Sequence, residues 1–332
     1  MRIAELIPAN YQRHLIHGEH RIWPETNCYS DVILELLHGF GLEPIAVLPF
    51  TLCIDFEGDQ WTFFKVPDAD LYELYGWDIQ ELAVWKSLPE HIAEQVIAKR
   101  PVLVELDSFF LPDTAGSAYK IAHMKTTVAV NQFDRTQRFL GYFHNQGYYE
   151  LRGADFDDIF QLNGLVHERM LPPYIEYVKT RSHFIPPTGA ALVEASLVLL
   201  KRHLQRTPLR NPFVAFKARF EQDVAWLMTV DIDRFHAYSF VNLRQYGACF
   251  ELTATYLKWL CENGSEVTEV TANITNLEFA ATAFQHIAES TKALQFQLAR
   301  SMARKKPLDL SPLDQMAEQW QAGMNALRVG FG

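Results

Sequence analysis

Trp23-Pro24-Glu25-Thr26-Asn27-Cys28-Tyr29-Ser30-Asp31-Val32-Ile33-Leu34-Glu35-Leu36-Leu37-His38-Gly39 is the stretch on which the reading of this chain turns. Pro24 and the capping residues Thr26 and Asn27 stop any helix from starting earlier, Val32, Ile33, Leu36 and Leu37 give it an apolar face, and Gly39 ends it. The spacing predicts a helix from about Cys28 to His38, with a thiol in its first turn. There the unpaired backbone N–H groups and the positive end of the helix dipole favour thiolate over thiol and can hold an oxyanion. Cys28 therefore reads as a nucleophile for covalent acyl chemistry, with its own N–H and the Asn27 side chain as the oxyanion-holding groups. Cysteine is also among the most buried residue types, and Cys53, Cys249 and Cys261, set in apolar runs with no CxxC pair, read as packing.

The 332 residues, 48% hydrophobic and 21% charged, suffice for a full core and two domains. The start of the chain is broken by Glu5 and Pro8 before any apolar signal run can form, and no run of 18 or more apolar residues follows, so a cytoplasmic protein with no membrane contact is expected. Four scattered cysteines suit a reducing compartment. A formal charge of −10 argues against nucleic acid as a partner. The basic runs Arg300 to Lys306 and Lys201-Arg202-His203 read as C-terminal helix turns.

Up to about residue 165 the pattern alternates. Strand-like runs at 45–55, 61–66, 101–106, 126–132 and 138–143 are separated by helices and turn residues. After Pro186-Pro187 the period is helical, with helices expected near 188–205, 212–228, 246–263, 272–303 and 311–328. Pro172-Pro173 and Pro186-Pro187 bracket the junction. The expected fold is α+β: an N-terminal domain over residues 1–170, then an all-helical domain over 185–332. No glycine-rich phosphate loop of the GxGxxG or GxxxxGK type is present, so acyl chemistry here has to start from an already activated acyl group.

A nucleophilic cysteine needs a base and a group to orient it. His123, at the mouth of the strand that runs through Thr126 to Gln132, is the candidate base. The next strand should lie antiparallel to it and ends in His144-Asn145, either of which is a candidate orienter, with Asn145 preferred. Asp107, at the end of a buried strand, reads either as a substrate-amine contact or as a strand-end turn residue. Arg244, Gln245 and Glu251 read as substrate-binding residues, with helix-surface salt bridges an equal account of Arg244 and Glu251. His14, His17 and His20 are spaced three apart, but Gly18 and the lack of acidic neighbours other than Glu19 argue against a metal, and none is expected.

The run from Cys28 through Gly39-Phe40-Gly41-Leu42 to Phe50-Thr51-Leu52, then 99–112, then His123, resembles the butirosin-biosynthesis acyltransferase family. The resemblance covers roughly residues 20 to 160. It implies a papain-like, C39-type N-terminal domain that moves an aminoacyl group from a carrier-protein thioester to a small-molecule amine. No bound cofactor is implied, since the phosphopantetheine arm arrives on the carrier protein. The whole chain, chiefly through residues 235–248, is also similar to a bacterial domain-of-unknown-function family associated with amino acid:carrier-protein ligases. Papain-like peptidases place a Gln several residues before the cysteine, where this chain has Arg21 and Ile22, and that departure weighs against proteolysis more than against thioester exchange. A cysteine hydrolase and a non-catalytic carrier-protein-binding module remain alternatives. The apolar helical half leaves room for a homodimer interface.

Overall fold

The computed structural model describes residues 1–164 and 173–332, so Pro172 and residues 165–170 of the expected N-terminal domain lie outside the described residues. The chain forms two compact units. One comprises Met1–His17, Asn27–Pro44 and Asp68–Pro186; the other comprises Gly18–Thr26, Ile45–Pro67 and Pro187–Gly332.

The first unit is an antiparallel sheet with helices on both faces. Its strands are β1 (Trp77–Glu81), β2 (Val102–Asp107), β3 (Lys125–Asp134), β4 (Phe139–His144), β5 (Gly147–Arg152) and β6 (Ile175–Thr180), in the order β1-β6-β2-β3-β4-β5. Its helices are α1 (Cys28–Gly39), α2 (Asp68–Tyr75), α3 (Leu88–Ile97) and α4 (Gly153–Ile159). Side chains alternate across a strand, and this sorts the sheet into two faces. Val102, Val104 and Leu106 of β2 and Val128 and Val130 of β3 pack with Ile92 and Val96 of α3 and Phe156 and Ile159 of α4. The opposite face takes α1, which packs on β3 and β4. Gly39 is the close-approach point there, since a Cβ on it would come 2.5 Å from the Phe143 ring.

α1 starts and ends where the capping pattern places it. Asn27 is in extended conformation and its Oδ1 accepts the Ser30 N–H at 3.0 Å. Val32, Ile33, Leu36 and Leu37 are buried as the periodicity requires, but so are Asp31 and Glu35 on the same helix.

The second unit is helical: α5 (Gly189–Leu204), α6 (Pro212–Leu227), α7 (Ile232–Ser239), a π turn (Phe240–Arg244), α8 (Gln245–Asn263), α9 (Thr268–Ala272), α10 (Ile274–Arg304) and α11 (Ser311–Phe331). The five long helices match the apolar period; α7 and the π turn were not anticipated. The basic runs do close α5 and α10, with Lys305 left-handed at φ 51° just past the end of α10.

Two strand-like runs are not strands. Residues Pro44–Cys53 form a 3-10 helix, and 61–66 contributes only an isolated bridge between Phe56 and Trp61. A continuous apolar run carries no period to separate strand from helix, and Pro44 and Pro49 each remove a donor from any ladder. From Ile45 onward both segments belong to the helical unit, where Trp61 is fully buried with its ring 4.6 Å from Tyr246 and 5.1 Å from Phe213.

Candidate active site

Cys28 is a free, half-buried thiol in the first turn of α1. Its Sγ lies 3.9 Å from the hydroxyl of Thr127 on β3. As the first residue of the helix, it carries a backbone N–H with no intrahelical acceptor. Asn27 spends its Oδ1 on the Ser30 N–H and its carbonyl on the Asp31 N–H. The cap therefore fixes the turn on which the thiol sits.

The Thr127 contact identifies the sheet face. Thr127 is paired with Glu105, and Lys125 with Asp107, so Glu105 and Asp107 project from the same side as the thiol's neighbour. Asp107 holds His123: Oδ2 lies 2.6 Å from the ring Nδ1, while Oδ1 accepts the Phe109 N–H at 3.0 Å. The Phe109 ring stacks on the imidazole with centroids 4.3 Å apart and planes within 13°. His123 is thus held on one side by a carboxylate and on one face by a ring, although it remains exposed.

Neither proposed orienter reaches it. The His123 ring is held at Asp107 on β2, which lies across β3 from β4, and β4 ends at His144, opposite Val128. Asn145 sits instead in the β4–β5 turn with a left-handed φ of 47°. His144 points to the other face, where its Nε2 is 2.8 Å from the Thr126 hydroxyl and its Nδ1 2.5 Å from Asp113. Asp107 occupies the place assigned to these residues. The antiparallel pairing of β3 with β4 and the end of β4 near His144 were legible in the sequence, but the seat of the His123 ring on Asp107 was not.

A cavity of about 660 Å³ opens beside the pair, within the range of small-molecule sites. Glu81, Glu105, Asp107, His123, Lys125 and Tyr174 supply its polar lining. Cys28 is not in that lining, but its neighbour Tyr29 connects to it. The buried Glu176 carboxylate accepts the hydroxyls of both Tyr29 and the cavity-wall residue Tyr174, each at 2.9 Å. Burial and the adjacent Glu176 push the Tyr174 phenol up to about 12 and that of Tyr29 higher still, so both remain donors at neutral pH. Thr127, Tyr174 and Glu176 were not singled out from sequence, because only sheet register brings them to the first turn of α1.

α1 is anchored by a buried charge cluster. His17 places Nδ1 2.5 Å from Glu35 and Nε2 3.4 Å from Asp31. Glu35 also accepts the His14 N–H and the Tyr11 hydroxyl. Burial opposes the charged imidazole, but hydrogen bonds to the two carboxylates prevail and raise His17 to about 9. The acidic partners missing near the histidine triplet in sequence thus come from α1. His14 approaches Glu43 at 3.9 Å, His20 is exposed, and no group of three or more metal-ligating side chains occurs among the described residues.

The substrate-binding candidates in the helical unit have structural partners or none. Glu251 accepts the N–H groups of Ile22 and Trp23 at 3.0 and 2.8 Å and stands 3.4 Å from the Arg21 guanidinium. Arg244 donates to the Glu25 carbonyl and carboxylate at 3.1 and 3.2 Å. Gln245 is buried, and its Oε1 has no hydrogen-bond partner among the described residues.

No helix among the described residues is long and apolar enough to cross a membrane. No curated protein matches the chain. Residues 12–180 match the DUF1839 N-terminal domain and residues 189–329 the DUF1839 C-terminal domain, so the chain belongs to the DUF1839 family.

Proposed function

We propose that the protein is a cysteine-dependent acyl or aminoacyl transferase, with Cys28 as nucleophile, His123 as general base and Asp107 as the residue that positions His123. The observation that carries the reading is the shared sheet face: a helix-start thiol against Thr127, and a carboxylate–imidazole pair one register step away beside a cavity. With Nδ1 engaged by Asp107, Nε2 is the ring nitrogen that takes the Cys28 proton. The thiolate attacks the carbonyl of a pantetheine thioester, the bond from acyl carbon to pantetheine sulfur breaks, and His123 returns the proton to the leaving thiolate. An amine then attacks the Cys28 thioester, the acyl–Sγ bond breaks, and the amine proton passes through His123 to Sγ. The first exchange is nearly balanced and the amide product lies downhill, so positioning and an oxyanion contact suffice without nucleotide. The Cys28 N–H at the helix start is the donor for that oxyanion. The papain-like N-terminal architecture and the carrier-protein partner belong to the same proposal and rest on the resemblance over residues 20 to 160.

Intact-mass spectrometry after incubation with aminoacyl-loaded carrier protein tests it. The expected result is an acyl-sized mass gain on wild type and none on Cys28→Ala, with release on addition of an amine. Release by water alone at an equal rate makes the protein a hydrolase. Absence of any acyl group on Cys28, together with thiol alkylation by iodoacetamide no faster than for a model thiol, sinks the transferase reading and leaves a binding module.

A further inference from the structure

The cavity beside His123 lies wholly within the first unit, at the end of the sheet where β1 and β2 finish and β3 and β6 begin. Strand pairing decides which side chains share it. Glu176 on β6 is paired with Glu81 on β1 and with Leu103 on β2, two residues before Glu105. Paired residues, and residues two apart on one strand, project from the same face. Glu81, Glu105 and Asp107 therefore share the face that carries Thr127.

Like charges set directly opposite each other weaken a sheet, and Glu81 and Glu176 are such a pair. The cations nearby are committed elsewhere. Lys125 is bound to Glu105 and His123 to Asp107, each at 2.6 Å, while Lys86 and Lys120 are bound to Glu94 and Asp155. Glu176 is buried and held by two phenol hydroxyls, and no cation faces it or Glu81 among the described residues. The Tyr174 phenol registers the negative potential, since burial together with Glu176 and Glu81 raises it to about 12. The rest of the cavity wall is largely apolar, with Leu82, Leu106, Met124 and Ile175. Because β6 separates β1 from β2, Glu81 and Glu105 stand two strand spacings, roughly 10 Å, apart at the backbone. A lone ammonium cannot reach both ends of such a cavity, whereas a methylene chain with a cation at each end can, its methylenes lying against the apolar wall.

We propose that this cavity binds a di- or polyamine that lacks a carboxylate, one ammonium at Glu81 and another nitrogen at His123, which in the transferase reading is the acceptor. The acceptor role rests on that reading; the binding does not. Spermidine is the probe, and ε-aminocaproate, an amine of similar reach that carries a carboxylate, is the control. Calorimetric titration of the full chain at physiological ionic strength should show spermidine binding to wild type and to Cys28→Ala alike. Glu81→Gln, at an exposed position, should weaken it about fivefold, the worth of one accessible ion pair, and Glu81→Lys should weaken it further. Glu221→Gln removes an exposed acid on α6 and should leave it unchanged. Glu81→Gln should also leave acylation of Cys28 by the loaded carrier protein intact and slow only the release of the acyl group to spermidine. Failure of wild type to bind spermidine, equal binding of ε-aminocaproate, or equal weakening by Glu81→Gln and Glu221→Gln overturns the site. Spermidine binding that Glu81→Gln weakens, with no acyl group ever found on Cys28, upholds the site and overturns the transferase reading.

Discussion

At the scale of single residues, the question is what His123 gains from its neighbours. A solvent-exposed imidazole samples several orientations, and the Asp107 carboxylate together with the Phe109 ring removes that freedom. If His123 moves the proton, His123→Gln lowers the rate of Cys28 acylation by about 10²- to 10⁴-fold, the usual worth of a positioned acid–base group. Asp107→Asn acts in the same direction and less strongly, and shifts the pH profile of acylation, which a purely structural substitution would not do. His144→Gln leaves that profile in place, because the His144 ring faces Asp113 and Thr126 on the other side of the sheet. Single-turnover acylation measured across pH for the three variants checks all of these expectations together.

At the scale of elements, α1 is the critical piece, because a helix that must present a thiol at its first turn is also buried on nearly every side. Two acidic residues one turn apart, Asp31 and Glu35, would repel each other in that environment without the cation between them. Removing that cation by His17→Gln leaves buried carboxylates uncompensated and costs about 3–5 kcal/mol, measurable by urea denaturation. The same cluster makes stability depend on pH. The folded His17 is raised from 6.5 to about 9, so its contribution is complete below 6.5 and is lost as pH rises through 9. Wild type therefore loses stability between neutral pH and pH 9–10 by a step that His17→Gln lacks. The N-cap is worth less, and Asn27→Ala costs about 1 kcal/mol.

At the scale of the whole molecule, the helical unit is assembled from three separated pieces of chain. Trp61 is buried among Phe213, Phe216 and Tyr246, and Trp23 packs over Gly247 with its indole N–H donated to the Ala288 carbonyl. Residues 187–332 expressed alone lack both indoles and should give a helical but poorly packed chain, with far-UV circular dichroism retained and the near-UV signal lost. Within the full chain, Gly247→Ala places a Cβ 2.8 Å from the Trp23 ring and should cost about 1–3 kcal/mol as the indole is displaced, read as a lowered melting temperature.

The sequence by itself determined the features that depend on neighbours a few residues apart. Asn27 and Gly39 delimit α1, the apolar period sets the five long helices after residue 188, and alternation with β-branched residues marks β2, β3 and β4. Local energetics settle these, and tertiary packing does not reverse them. Where the local signal is degenerate, as in the unbroken apolar run at Pro44–Cys53, packing decided the outcome. Register decided the candidate site. A hydroxyl at Thr127 and an acid at Glu176 come to the first turn of α1, and a carboxylate at Asp107 comes to His123, because of how the strands pair, while His144 turns to the other face and Asn145 lies in the β4–β5 turn. A one-residue slip in that pairing would turn every one of these side chains to the opposite face, and contacts of that range are set by the three-dimensional packing of the sheet rather than by any local run of residues.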